Sequence, residues 1–235
     1  MNTNSHCIAI DVNRLTHRYG SRIILNNLHL EIAVGESVAI AGANGSGKTT
    51  LLRCMAGLAR IQGGEVRWFG RPAADPPASR SLVGMAAHDG FLYPHLSARE
   101  NLVFAARMHA VSNPSRQADC LLQAAGLEPY AFREARKLSR GMRQRLSILR
   151  AIIHDPKILI LDEPFAALDV AGMNWLGSTL QELRRRGCTL CFTTHDLLLA
   201  KTHADRVLEL CGGVLEAIKK AEEPSPIFHP FSKAA

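Results

Sequence analysis

The sequence contains no apolar run near the eighteen or so residues needed to cross a bilayer, so no segment is expected to span a membrane. Its start, MNTNSHCIAIDVNR, has no basic opening followed by an apolar block, so no export signal is expected. From these absences the chain is expected in the cytosol, or at a membrane only through a partner. The six cysteines lack the spacing of a disulfide framework, which suits a reducing compartment. Cys188 and Cys191 form a C-x-x-C, but CTLCFTTH is an apolar stretch that reads as a strand. Residues three apart on a strand point to opposite faces, so buried cysteines are expected there and not a redox or metal pair. Internal repeats and sustained heptads are also missing. The formal charge of +7 has no stripes of the kind a nucleic-acid surface carries. It is concentrated instead: residues 133–157 hold eight Lys or Arg against Glu134 and Asp155. Within them, LSRGMRQRLSILR puts four arginines into residues 138–150. A segment like that asks for an anion.

Apolar content of 47% with 21% charged residues is ordinary for a folded chain, and 235 residues suffice for a substantial core. Strand-like alternation opens the chain in IAIDVNRL, IILNNLHLEI and ESVAIAG. After a Gly-rich turn, KTTLLRCMAGLA carries Leu51, Leu52, Met55 and Leu58 at helical spacing. GEVRWFG and LVGMAA read as strands around the turn region RPAADPPASRS. From about residue 97 to 155 the period is helical. Ser97 and Glu100 make a capping box, and Asn113–Pro114 predicts an N-cap and first-turn pair. A third helix should carry Met142, Leu146, Leu149 and Ile153 on one side, with Arg143, Ser147 and Arg150 on a polar side. Strand and helix then alternate through KILILDEP, MNWLGSTLQELRRRG, CTLCFTTH, DLLLAKTHA and RVLELC. That pattern is α/β with a helical insertion.

The turn GANGSGKTT matches G-x-x-x-x-G-K-[ST] between a strand and a helix, where its glycines allow several N–H groups to face one anion. The candidates are Gly42, Ala43, Asn44, Gly45, Ser46, Gly47, Lys48, Thr49 and Thr50, with the positive end of the next helix adding to the field. Lys48 would reach β- and γ-phosphates, and the Thr49 hydroxyl would ligate Mg²⁺. ILILDEP reads as a buried strand ending in Asp162, suited to Mg²⁺, and Glu163, suited to deprotonating an attacking water. The next strand ends in His195, within reach of a γ-phosphate if the strand ends share one edge.

These residues together resemble the nucleotide-binding subunits of ABC transporters, over about residues 8 to 215. GANGSGKTT looks like the Walker A, ILILDEP the Walker B, Asp169 in ALD the D-loop and His195 the switch histidine. LSRGM is similar to the signature LSGGQ, and Tyr19 stands where the family places an adenine-stacking aromatic. The resemblance implies a P-loop fold with a mainly parallel sheet core, an N-terminal antiparallel β subdomain and a helical subdomain inserted at about 90–155. It implies an ATPase domain over 1–220; the tail AEEPSPIFHPFSKAA, residues 221–235, has no period of its own and is expected to be mobile. The resemblance also implies ATP and Mg²⁺ as ligands, and a homodimer with ATP at its interface. Ser139 and Gly141 would meet the γ-phosphate held by the other subunit, which supplies the anion for the arginine-rich segment. Most of its arginines would then form a solvated helix face. The chain departs from the pattern at Arg140 and Met142. Where a Q-loop glutamine belongs it has His88 and Asp89, either of which could contact the Mg²⁺ shell.

The function implied is the ATPase of a membrane exporter, bound to transmembrane permease subunits at the cytoplasmic face of the inner membrane, with no nucleic acid as partner. The loop HDGFLYPHL, with apolar Phe91, Leu92 and Tyr93, is the expected contact surface. Its pattern and SRGMRQRL look most like the haem exporter ATPase of cytochrome c maturation, and also resemble ABC-2 type multidrug or antibiotic exporters. A soluble ABC ATPase of the DNA-remodelling type would need long coiled coils, and one of the ribosomal type a second cassette. A P-loop kinase would leave the signature and His195 unexplained.

Overall fold

The computed structural model describes residues 7–73, 80–87 and 91–218. The early alternation folds into an antiparallel sheet. Strands β1 (Ile8–Tyr19) and β2 (Arg22–Ala33) pair across the turn at Gly20. The chain then leaves for a second sheet as β3 (Ser37–Ala41), passes through α1 (Lys48–Met55), and returns as β4 (Gly63–Trp68) and β5 (Arg71–Pro72). The order is β2-β1-β4-β5. Ile10, Val12, Leu28 and Ile32 point into one core with Leu51, Leu52 and Met55 of α1, where the Trp68 indole donates to the Met55 carbonyl at 2.8 Å.

The second sheet adds β6 (Val83–Ala86), β7 (Ile158–Leu161), β8 (Thr189–Thr193), β9 (Arg206–Cys211) and β10 (Val214–Ala217), in the order β10-β9-β3-β8-β7-β6. All neighbours are parallel except β10 on β9. The central strands β3, β7 and β8 are buried throughout because both faces are covered. Val38, Ile40, Ile158 and Ile160 face the antiparallel sheet, whereas Ala39, Leu159, Leu161 and Phe192 face a second core filled by helices. Cys188 and Cys191 lie in those opposite cores as free thiols, both pushed up to about 12 by burial. Ile40 sits beside Thr193, Leu161 beside Phe192 and Ala86 beside Leu161. This register brings the carboxyl ends of β3, β7 and β8 to one edge.

Between β6 and β7 lie α2 (Ala98–Met108), α3 (Pro114–Ala124) and α4 (Arg140–Ile152); α5 (Val170–Arg185) and α6 (Leu197–His203) follow β7 and β8. The capping box forms as expected: the Glu100 amide donates to Ser97 Oγ at 3.2 Å and the Ser97 amide donates to Glu100 Oε2 at 2.8 Å. Three expectations are corrected. Pro114 does open α3, but Asn113 makes no side-chain cap bond; at φ 51 it has left the extended conformation from which a cap side chain reaches back. The polar face expected for α4 is solvated only at Arg143. Ser147 is buried, Arg145 and Arg150 are half-buried, and of the four arginines Arg140 and Arg143 are exposed. The reason is that α4 packs against β6 and β7 as well as α2 and α3. Finally, β10 lies beyond the strands read from the pattern, turning back from β9 at Gly212 and Gly213. The tail over 221–235 and the middle of RPAADPPASRS lie outside the described residues.

Candidate active site

The loop after β3 is shaped by close approach as much as by turning. At Gly42, φ 146, a Cβ would stand 2.7 Å from the Leu210 carbonyl oxygen. At Gly47, φ 106, it would stand 2.8 Å from Ile24 Cγ2, which is where β2 leans on the loop. Between them the Ser46 amide donates to the Ala43 carbonyl at 3.2 Å, leaving Ala43, Asn44 and Gly45 exposed. Gly47 caps α1 without a side chain, and the first turn of α1 contributes no acid of its own to the positive helix end. The Lys48 ammonium folds over the loop and donates to the carbonyls of Gly42 at 2.7 Å and Ala43 at 3.1 Å. Ser46 Oγ is buried without a hydrogen-bond partner, and Thr50 is buried beneath the loop. The cradle and its orphaned hydroxyl fit a phosphate chain.

Beside it runs a chain of polar contacts. Asp162, 2% exposed, accepts from Thr49 Oγ1 and from Thr193 Oγ1, both at 2.7 Å. The Glu163 amide donates to Thr193 Oγ1 at 2.9 Å. Glu163 itself has φ 49, a left-handed backbone that costs a non-glycine residue strain of the order of 1 kcal/mol. Its Oε2 lies 3.1 Å from His195 Nδ1, and the His195 side chain is 71% exposed. Four of the residues expected from the pattern, Thr49, Asp162, Glu163 and His195, are therefore connected through one threonine. A hydroxyl and a carboxylate are hard oxygen donors suited to Mg²⁺. Among the described residues no cluster of three or more His, Cys, Asp or Glu stands ready for a metal, so a cation here would complete its shell with phosphate or water oxygens.

Two participants went unrecognised in the sequence. Thr193 is the hub just described. Gln144, buried on α4, places Nε2 3.4 Å from the carbonyls of both Glu163 and Pro164. The available signal was a polar residue in an otherwise buried strand or helix face.

Ser139 and Gly141 lie apart from this chain. Ser139 caps α4, its Oγ accepting from the Met142 amide at 3.2 Å. A Cβ at Gly141 would meet the Ala167 carbonyl at 2.7 Å, so the first turn of α4 rests on the loop that follows Glu163. Asp169, which caps α5, is 3.7 Å from Arg145. Among the described residues no hydrogen bond joins Ser139 or Gly141 to the phosphate-type loop. Tyr19 stands at the β1–β2 turn, 56% exposed and edge-on to His17 with centroids 4.9 Å apart. In the expected contact loop, Phe91 and Tyr93 are exposed, but Leu92 packs against the helical core. His88 and Asp89 lie outside the described residues.

Residues 25–166 match the family model described as ABC transporter. The chain is 36% identical over 227 residues to the sn-glycerol-3-phosphate import ATP-binding protein UgpC 1 of Rhizobium johnstonii, covering 95% of this chain and 61% of that protein. It is 35% identical to the spermidine/putrescine import ATP-binding protein PotA of Pasteurella multocida, covering 93% and 61%. The chain thus spans about six tenths of the length of these curated relatives. Among solved structures, a dimeric ATP-binding cassette in a post-hydrolysis state, bound to ADP and Pi, superposes with a TM-score of 0.82 at 29% identity, covering 91% of this chain and 99% of that one.

These relatives overturn the expectation of a haem exporter of cytochrome c maturation, because they are import ATPases. The fold and the family stand: the chain belongs to the ABC transporter family.

Proposed function

We propose that the chain is the ATP-binding and ATP-hydrolysing subunit of an ABC transporter, with import the direction that its relatives support. The observation that carries this reading is the continuous link Thr49–Asp162–Thr193–Glu163–His195 beside a glycine cradle. Lys48 leaves the loop carbonyls to meet β- and γ-phosphate oxygens, and the α1 N-terminus supports their charge. Thr49 and Asp162 would hold Mg²⁺, which would supply positive charge against the phosphate oxygens. Glu163 takes the proton of an attacking water, and His195 steadies the Glu163 carboxylate and the γ-phosphate position. Tyr19 stacks on adenine. Ser139 and Gly141 serve the nucleotide of a second copy, so two sites are completed when two copies close face to face. Permease subunits dock at the loop bearing Phe91 and Tyr93 and hold the dimer at the cytoplasmic face of a membrane. Among the described residues no helix is long and apolar enough to cross one.

The test is ATP turnover by the purified chain, alone and with its co-purified membrane partners, set against Glu163→Gln. That variant should still bind ATP and accumulate a nucleotide-bound dimer, while turnover falls roughly 10²- to 10⁴-fold, the scale of a lost general base. Near-normal hydrolysis in Glu163→Gln would assign the base elsewhere. A wild-type chain that hydrolyses no ATP under either condition would end the reading.

A further inference from the structure

The helix after the switch position has a weak grip of its own. Within α6 only Ala200 is buried, whereas Leu197 and Leu198 are 46% and 74% exposed. A helix of seven residues has little stability by itself. It is held at its ends. At the start, Asp196 caps it by accepting from the amides of Leu198 and Leu199 at 2.8 and 3.2 Å. At the finish, the His203 carbonyl accepts from Ser37 Oγ at 2.8 Å, and the His203 ring stacks on Phe165 with centroids 4.8 Å apart and planes at 22°. The ring fits a slot cut by a missing side chain: a Cβ on Gly177 of α5 would be 3.0 Å from His203 Cε1. Phe165 is in turn held edge-on by Phe192 of β8 at 6.0 Å.

Phe165 lies two residues after Glu163, and His195 lies two residues before α6. Segment 195–203 therefore touches the 163–165 turn twice, through His195 on Glu163 at one end and His203 on Phe165 at the other. We propose that His203 is a positioning residue for hydrolysis: its stack on Phe165 fixes α6 against the turn that carries Glu163, and so holds His195 in register with that carboxylate. The proposal rests on the hydrolysis reading above and adds to it a residue that touches no nucleotide. Burial pushes the His203 pKa down, so the ring stacks as a neutral aromatic and phenylalanine is the conservative replacement.

Two measurements on the full chain test it, kcat and KM for ATP, and amide hydrogen exchange over residues 195–200. His203→Ala should lower kcat about tenfold with KM within about twofold, since small misplacements of reacting groups cost rate and not binding. Exchange in α6 should accelerate in the same variant. His203→Phe should restore both, and Phe165→Leu, which removes the stack from the other side, should reproduce the His203→Ala loss if the alanine variant folds poorly. A His203→Ala kcat within about twofold of wild type overturns the proposal, as does a His203→Phe variant no better than alanine. If the wild type shows no hydrolysis, it is the functional reading that fails. The exchange arm still decides the clamp, and unchanged α6 exchange overturns it.

Discussion

The loop-and-strand end of the molecule and the tip of α4 are built to opposite rules. At the first, polar groups are paired inside the chain: both oxygens of the buried Asp162 are taken, by Thr49 and Thr193, and Lys48 is parked on its own loop. At the second, Ser139 and Arg140 are exposed, and the Ser139 hydroxyl is engaged by its own helix. A paired, buried constellation can hold a ligand alone; an exposed capping turn presents itself to something else. The largest effect that breaks this comparison comes from damaging each end separately. Lys48→Ala should abolish turnover by weakening triphosphate binding. Ser139→Asp keeps a good N-cap for α4 and, unlike a substitution at Gly141, makes no clash with Ala167. It should leave ATP binding intact and lose turnover by roughly 10²- to 10³-fold, because like charges about 4 Å apart repel by ~4 kcal/mol at an effective dielectric of 20. Mixing the two dead variants should restore part of the activity, since one intact loop would face one intact signature. If no recovery appears although mixed dimers form, the signature is not shared in this way.

What the sequence revealed follows the same division. The glycine loop, the acid pair and the strand-end histidine are local patterns in which a strand feeds a turn, so their meeting at one sheet edge was legible. Thr193 and Gln144 act across 30 and 19 residues of sequence and matter only once β7, β8 and α4 are packed, so a linear pattern could not single them out. The α4 face was misjudged for a related reason: an amphipathic period predicts one buried side, and α4 is covered on two. Asn113 satisfied the composition of a cap but not its backbone angle. The Gly212–Gly213 pair before VLEA was a usable hairpin signal for β10. The expectation of export rested on the likeness of two short stretches, and the import relatives overturned it.

A smaller effect sharpens the paired end. If Tyr19 is a stacking platform and Lys48 a phosphate contact, their deletions should separate base from phosphate. Tyr19→Ala should weaken ATP and ADP alike by about tenfold, the scale of one lost aromatic stack. Lys48→Ala should weaken ATP more than ADP. Titration of both nucleotides into each variant by calorimetry gives the four numbers needed. Unchanged affinities in Tyr19→Ala would return Tyr19 to a turn residue stacked on His17.

The smallest effect concerns the joint between the two ends. His109, at the end of α2, stacks on His154, between α4 and β7, with centroids 3.8 Å apart and planes at 7°. Burial, then the neighbouring His109, pushes His154 down to about 4, with Arg150 adding to the shift while the Val83 carbonyl and Asp155 oppose it. His109 is lowered by burial and by Arg150. Folded His154 thus stays neutral where the unfolded chain takes up a proton near pH 6.5. Between those two values the unfolded state binds more protons, so the contribution is complete above pH 6.5 and is lost as pH falls toward 4. At 1.36 kcal/mol per unit the full shift would be about 3 kcal/mol, and screening of a ring that is partly open to solvent reduces this to the order of 1–2 kcal/mol. Denaturant midpoints at pH 7.5 and 5 should therefore differ in the wild type and differ less in His154→Phe, which can still stack but cannot titrate. Because the pair ties α2 to the sheet edge, amide exchange at pH 5 should accelerate in α2 before β7. Equal acceleration in both would mean that acid loosens the molecule as one body, and that the helical tip is not separately hinged.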